Sequence, residues 1–108
     1  DSLMNKIKSK DKKIESKIVV FRDLRKKGYI VKTALKFGAE FRVYEKGIKP
    51  GEDHAKWILH IVKENEGMKW HDFAAKNRIA HSTRKNLLLA IVDEEKDVSY
   101  YQCEWIRL

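Results

Sequence analysis

Three side chains in this sequence could share one piece of chemistry: the phenol of Tyr44, the imidazole of His54 and the ammonium of Lys85. RNA carries its own nucleophile, the ribose 2′-hydroxyl beside each phosphodiester. Cutting it requires a group to take that proton, a charge to steady the phosphoryl oxygens, and a proton for the departing 5′-oxygen. Groups with ordinary pKa values of about 10, 6.5 and 10.4 can divide those tasks without a metal. Tyrosine is a poor base until a neighbouring cation favours its phenolate, and Lys85 is the candidate cation. Histidine titrates close to neutrality and suits the acid.

All three stand at the ends of candidate strands. The stretch Ala39 to Tyr44 alternates Ala39, Phe41 and Val43 with Glu40, Arg42 and Tyr44, the period of a strand. Gly47 to Asp53, holding the only proline, reads as a loop. His54 opens a strand through Val62, and Lys85 opens the apolar run Leu87 to Val92. A lysine at the mouth of such a strand must reach a cleft or water while its neighbours enter a core. Strand ends gathered at one sheet edge are a common way to assemble a site.

The elements that must hold these ends can be traced along the chain. Ile14, Ile18, Phe21 and Leu24 recur as one helix face, closed by Lys26, Lys27 and Gly28. A strand from Tyr29 to Leu35 and a tight connection at Gly38 follow. Gly67 precedes a second helix, with Met68 at the capping position and Trp70, Phe73, Ala74 and Ala80 on one face. Leu87 to Asp93 is a buried strand, Glu94 to Asp97 a turn, and Val98 to Leu108 a final strand. The order αβββαββ predicts an α/β (α+β) fold: a small mixed, mainly antiparallel sheet flanked by two helices. Residues 1–10 are polar and lysine-rich and read as a linker or the remnant of an N-terminal domain, leaving 11–108 as the catalytic domain.

A net charge of +8 and a pI near 9.6 favour a polyanionic partner. The single cysteine, Cys103, excludes an internal disulfide and a cysteine-rich metal site, which suits a reducing interior. No apolar run approaches the roughly 18 residues of a membrane span, and nothing resembles a signal peptide. A cytoplasmic location without a membrane partner is the expectation. His60 reads as a structural strand histidine, His71 as a helix-surface residue and His81 as structural. Trp57, Trp70 and Trp105 read as core or interface residues, and Cys103 as a buried, inert thiol.

Four blocks of the sequence, from Ile18 to Trp105, resemble the archaeal tRNA-splicing endonuclease family. They run Phe21 to Thr33, Lys36 to Tyr44 (KFGAEFRVY), Arg78 to Lys85 (RIAHSTRK) and Asp97 to Tyr101 (DVSYY), in that order. The resemblance implies the catalytic domain of that family, related to the restriction-endonuclease-like architecture. It also implies cleavage of intron-containing precursor tRNA at a bulge-helix-bulge, without metal or other cofactor, to a 2′,3′-cyclic phosphate and a 5′-hydroxyl. Tyr44 would be the general base, His54 the general acid and Lys85 the transition-state stabiliser. Arg78 matches an arginine that clamps a bulged base, and Arg84 is grouped with it as RNA-binding. Asp93, Glu94, Glu95 and Asp97 resemble the loop that docks into a neighbouring subunit, and the last strand resembles the one through which subunits pair. The partners implied are precursor tRNA and a second or related copy of the chain; the N-terminal domain that family members carry would come from a separate chain, from a longer polypeptide of which this is one repeat, or from sequence lost by truncation.

Two other functions fit the same residues. A non-catalytic subunit could hold RNA or a partner, although it would have no need of all three reacting side chains. A metal-dependent DNA nuclease could use Asp53, Glu40 and Lys56, but that chemistry requires carboxylates clustered on a divalent ion, and the spacing does not supply a cluster.

Overall fold

Alternation of apolar residues along the chain builds one five-stranded sheet in the computed structural model, which describes residues 2–47 and 55–104, with side chains from Ile14 onward. Strands β1 (Ile30–Ala34), β2 (Ala39–Tyr44), β3 (Trp57–Lys63), β4 (Asn86–Val92) and β5 (Val98–Cys103) lie side by side in chain order. Every neighbouring pair is antiparallel except β3–β4, which is parallel and bridged by helix α2 (Trp70–Ser82). Helix α1 (Ser2–Lys26) precedes the sheet, and Leu35–Phe37 forms a single 3-10 turn between β1 and β2. The mixed, mainly antiparallel sheet between two helices is the architecture the sequence predicts.

Because side chains alternate across a strand, each face of the sheet has its own cluster. Val31, Phe41, Val43, Leu59, Leu88, Ala90 and Val92 pack with Val20 and Leu24 of α1. On the opposite face Ala34, Ala39, Ile58 and Leu87 meet Ala80 of α2, with Phe37 and Phe73 at the margin. Three of those five buried residues are alanines, which let the second helix and the 3-10 turn sit close to the sheet.

Several expectations need correction. The segment from Ser2 to Lys10, read as a linker or a remnant of another domain, is helical and continuous with α1. The face of α1 against the sheet is Ser16, Val20 and Leu24, while Ile14, Ile18 and Phe21 are 54, 45 and 41% exposed. Both sets have helical spacing, and Val20 and Leu24 are the ones that join the cluster on the sheet. Trp70 is 83% exposed at the first residue of α2, stacked edge-on against Phe73, so it lines no packed face. The helix is capped by Lys69, not Met68, and without a side-chain bond. The strand expected from His54 begins at Trp57 among the described residues; Asp53, His54 and Trp105 lie outside them.

Helix α1 ends on a glycine for a geometric reason. The amides of Gly28 and Tyr29 donate to the carbonyls of Arg25 and Leu24, both at 3.0 Å, a Schellman closure that needs Gly28 at φ +97°. Among the described residues no helix is long and apolar enough to cross a membrane.

Candidate active site

The register carries Tyr44 and Lys85 to one end of the sheet. Val43 pairs with Trp57, and Trp57 pairs with Asn86, so the residues next in line, Tyr44, Lys56 and Lys85, form the following row. That row is stitched by the Lys56 amide on the Val43 carbonyl at 3.0 Å and the Asn86 amide on the Lys56 carbonyl at 2.9 Å. Two strand spacings separate Tyr44 from Lys85, about 10 Å between backbones. Val43 packs toward α1, which sends Tyr44 to the α2 face; Lys85, two residues before the α2-facing Leu87, emerges on that face as well.

The Tyr44 ring is buried. Its hydroxyl has no hydrogen-bond partner among the described residues, and no buried polar atom there goes unpaired, so the oxygen reaches solvent. This is a phenol fixed by packing and open at its reactive tip.

Lys85 is positioned by the end of α2. The Arg84 amide donates to the His81 carbonyl at 3.0 Å and the Lys85 amide to the Ala80 carbonyl at 2.8 Å, again a Schellman closure, here with Arg84 at φ +59°. The Thr83 hydroxyl lies 2.9 Å from the Ile79 carbonyl and 3.0 Å from that of Ala80, tying the last turn. The Lys85 ammonium then donates to the Thr83 carbonyl at 3.2 Å and stands 5.5 Å from the centre of the Phe37 ring. Among the described residues no carboxylate lies within ion-pair reach of it. A half-buried cation with a neutral carbonyl and a ring for neighbours keeps its charge for an incoming anion.

His54 lies outside the described residues. Ala55, which follows it, is buried, and Lys56 stands between Tyr44 and Lys85 in the row. The Lys56 ammonium is turned to Glu45 at 2.8 Å and lies 4.9 Å from the centre of the Trp57 ring.

Glu40 and Lys56, two members of the alternative metal cluster, do not meet. Phe41 pairs with Leu59 and Arg42 with Ile58, so Glu40 faces His60 while Lys56 faces Tyr44, four rows away, roughly 13 Å along the strand. Glu40 Oε2 accepts the Ile61 amide at 3.2 Å. His60 is buried and its pKa is pushed down to about 4, by burial first and by Lys76 second. Its Nδ1 approaches Glu40 to 3.6 Å, so at neutral pH this is a neutral ring beside a carboxylate and not an ion pair. Among the described residues no three His, Cys, Asp or Glu side chains gather where they could hold a metal ion.

The remaining candidates are spread over the molecule. Arg78 is exposed on α2, two turns before Lys85, and Arg84 is exposed beside it. The acidic turn lies at the other end of β4. There the Asp97 amide donates to Asp93 Oδ1 at 2.8 Å and the Lys96 amide to the Asp93 carbonyl at 3.1 Å. Lys96 is paired with Glu15, which leaves Glu94, Glu95 and Asp97 presented to solvent on a braced turn. Cys103 is half-buried against the α2-side cluster, and burial raises its pKa.

Two neighbours of the site carried no individual weight in the sequence. Phe37 lies under the Lys85 ammonium, and nothing in its spacing marks it. Arg42 shares Tyr44's face of β2, and the alternation along that strand already contains this information.

The family model of the tRNA intron endonuclease catalytic C-terminal domain matches residues 14–100. A curated tRNA-splicing endonuclease of Pyrococcus horikoshii is 47% identical over 107 residues, covering 99% of this chain and 61% of that protein. The one from Thermococcus kodakarensis is 43% identical over 107 residues, 99% of this chain and 62% of its own length. A third, from Nanoarchaeum equitans, is 39% identical over 111 residues, 97% of this chain and 71% of its own. The chain thus spans about three fifths of the first two relatives.

Proposed function

The chain belongs to the family of tRNA intron endonuclease catalytic C-terminal domains, and from that premise we propose that it cleaves precursor tRNA at intron–exon junctions within a bulge-helix-bulge. The ribose 2′-oxygen attacks the adjacent phosphorus, forming the 2′,3′-cyclic phosphate as the bond from phosphorus to the 5′-oxygen breaks. Tyr44, as phenolate, accepts the 2′-hydroxyl proton; His54, as imidazolium, delivers a proton to the leaving 5′-oxygen. Lys85 faces the negative charge that builds on the phosphoryl oxygens. The reaction needs no metal or other cofactor in this scheme.

One observation carries the reading: a solvent-touching phenol and an ammonium with no carboxylate in ion-pair reach among the described residues share one row and one face of the sheet. A phosphodiester fits between groups on backbones about 10 Å apart, because both side chains reach inward from their strands. The four-row separation of Glu40 from Lys56 counts against the metal-nuclease arrangement.

The partners follow from the same premise. The braced carboxylates of Glu94, Glu95 and Asp97 suit a basic cleft on a second or related copy of the chain. The part of the relatives' length beyond this chain would be supplied by a further domain or chain, and the working compartment is the cytoplasm.

The test is cleavage of a bulge-helix-bulge RNA in excess EDTA, with the product ends identified. A cyclic phosphate and a 5′-hydroxyl are expected, and His54→Ala should lower the single-turnover rate by about 100-fold while RNA still binds. Activity lost in EDTA and regained with magnesium would establish the metal nuclease instead. Tight binding with no cleavage by the unsubstituted chain would make it a structural subunit.

A further inference from the structure

A shallow cavity of about 310 Å³ adjoins the catalytic row and is lined by Thr33, Ala34, Leu35, Lys36, Phe37 and Arg42. It touches the row at two points. Phe37 bears the Lys85 ammonium at 5.5 Å, and Arg42 lies two residues before Tyr44 on the same face of β2. The volume is at the lower end of small-ligand clefts, roughly 300–1,000 Å³.

Its shape has a local origin. The β1–β2 register shifts between Thr33 and Ala34, a bulge that takes the Thr33 carbonyl out of regular pairing. Arg42 Nε donates to that carbonyl at 2.9 Å, which fixes the guanidinium plane over the cavity. Its two terminal amino groups have no partner among the described residues. Lys36 is likewise exposed and without a carboxylate there. Leu35 forms the rim at 80% exposed, a large apolar side chain that the core does not use.

Two cations with no carboxylate partner among the described residues, beside an apolar rim, are the complement of a nucleotide, an anionic phosphate joined to a planar base. We propose that this shelf is a subsite for an RNA nucleotide next to the scissile linkage, with Lys36 and Arg42 on its phosphate and Leu35 and Phe37 against its base. The assignment rests on the RNA-cleaving function proposed above and adds a binding determinant to it. The subsite has a second effect. A nucleotide seated there holds the neighbouring phosphodiester against the Lys85 side of the row, because Phe37 belongs to both.

The experiment uses a bulge-helix-bulge RNA with hydrogen in place of the 2′-hydroxyl at the cleavage position, so that it binds without being cut. It is titrated at several salt concentrations against the parent chain, Lys36→Gln, Arg42→Gln and the double variant. Glutamine at 42 keeps a donor for the Thr33 carbonyl, and Lys36 is exposed and makes no ion pair among the described residues. Lys26→Gln, an exposed charge at the end of α1, is the control. The double variant should bind about 10-fold more weakly, and its log affinity against log salt should flatten by about 0.7, the value for one lost single-strand phosphate contact. One methylphosphonate beside the scissile linkage should weaken the parent chain similarly and the double variant little further. Folded variants whose affinity and salt slope match the parent's would overturn the subsite, and if the parent still cuts RNA the proposed function is untouched. A parent chain that neither binds nor cuts the RNA would overturn both together.

Discussion

Both helices hand the chain to the sheet through the same two hydrogen bonds, yet the residue at the turning point differs. After α1 it is Gly28 at φ +97°; after α2 it is Arg84 at φ +59°. Around Gly28 the charges are closed on one another. Tyr100 donates to Asp23 Oδ2 at 2.6 Å, Lys27 meets the same oxygen at 2.9 Å, and the Lys27 ammonium lies 5.0 Å from the centre of the Tyr100 ring. Around Arg84 they are not closed: Lys85 has a carbonyl and a ring but no carboxylate among the described residues. A left-handed non-glycine residue costs about 1–2 kcal/mol. The first junction is built for stability, and the second carries that strain beside the cation proposed to face the substrate.

Substitutions can break this contrast or sharpen it. The largest effect belongs to Lys85→Ala, expected to slow single-turnover cleavage by about 100- to 1,000-fold with the melting temperature nearly unchanged. A rate within tenfold of the parent would remove Lys85 from the chemistry. Next is Gly28→Ala, which should destabilise the fold by about 1–3 kcal/mol in urea titration. The added Cβ would meet only Lys46 atoms at 3.8 Å, so the effect is one of backbone alone, and a variant as stable as the parent would show that the left-handed turn is not required.

Tyr100→Phe should cost about 1 kcal/mol, because Asp23 keeps Lys27 and water as partners. Its signature lies in acid. Burial raises the Asp23 pKa, but the bonds from Tyr100 and Lys27 outweigh it and hold the carboxyl below its ordinary value of 3.8. A depressed carboxylate contributes stability that is present above the unfolded value and lost as pH falls through the folded one. The parent should therefore lose stability below about pH 3.8 more steeply than the variant, as read from urea midpoints across that range; parallel profiles would refute the linkage. The smallest effect, and the one of opposite sign, is Arg84→Gly. It should stabilise the fold by up to about 1 kcal/mol by relieving the left-handed backbone, while weakening RNA binding. Gain on both counts would show that Arg84 has no part in binding.

The contrast also shows what could be read in advance. Gly28 announces its turn, because glycine just past a run of helical spacing is a known stop. Arg84 announces nothing, since a left-handed arginine is set by the hydrogen bonds that enclose it. Tyr44 and Lys85 were legible as strand ends, but the register that places them in one row depends on pairing partners far away in sequence. The packed face of α1 was legible only in part: Leu24 is buried as expected, but Val20 packs with it in place of Ile14, Ile18 and Phe21, and since both sets obey the helical period only the contact with the sheet chooses between them. Phe37 and Arg42 gained meaning only once the bulge at Thr33 and the direction of Lys85 were visible.

The lone parallel pairing of β3 with β4 has a practical corollary. It sets the starts of both strands beside the finish of β2, and it pushes the hairpin at Asp93–Asp97 and the link from Glu64 to Lys69 to the far pole, some 20 Å off. A fluorophore or tether placed at exposed Asn65 would report on the molecule without disturbing the strand ends proposed to surround the scissile linkage.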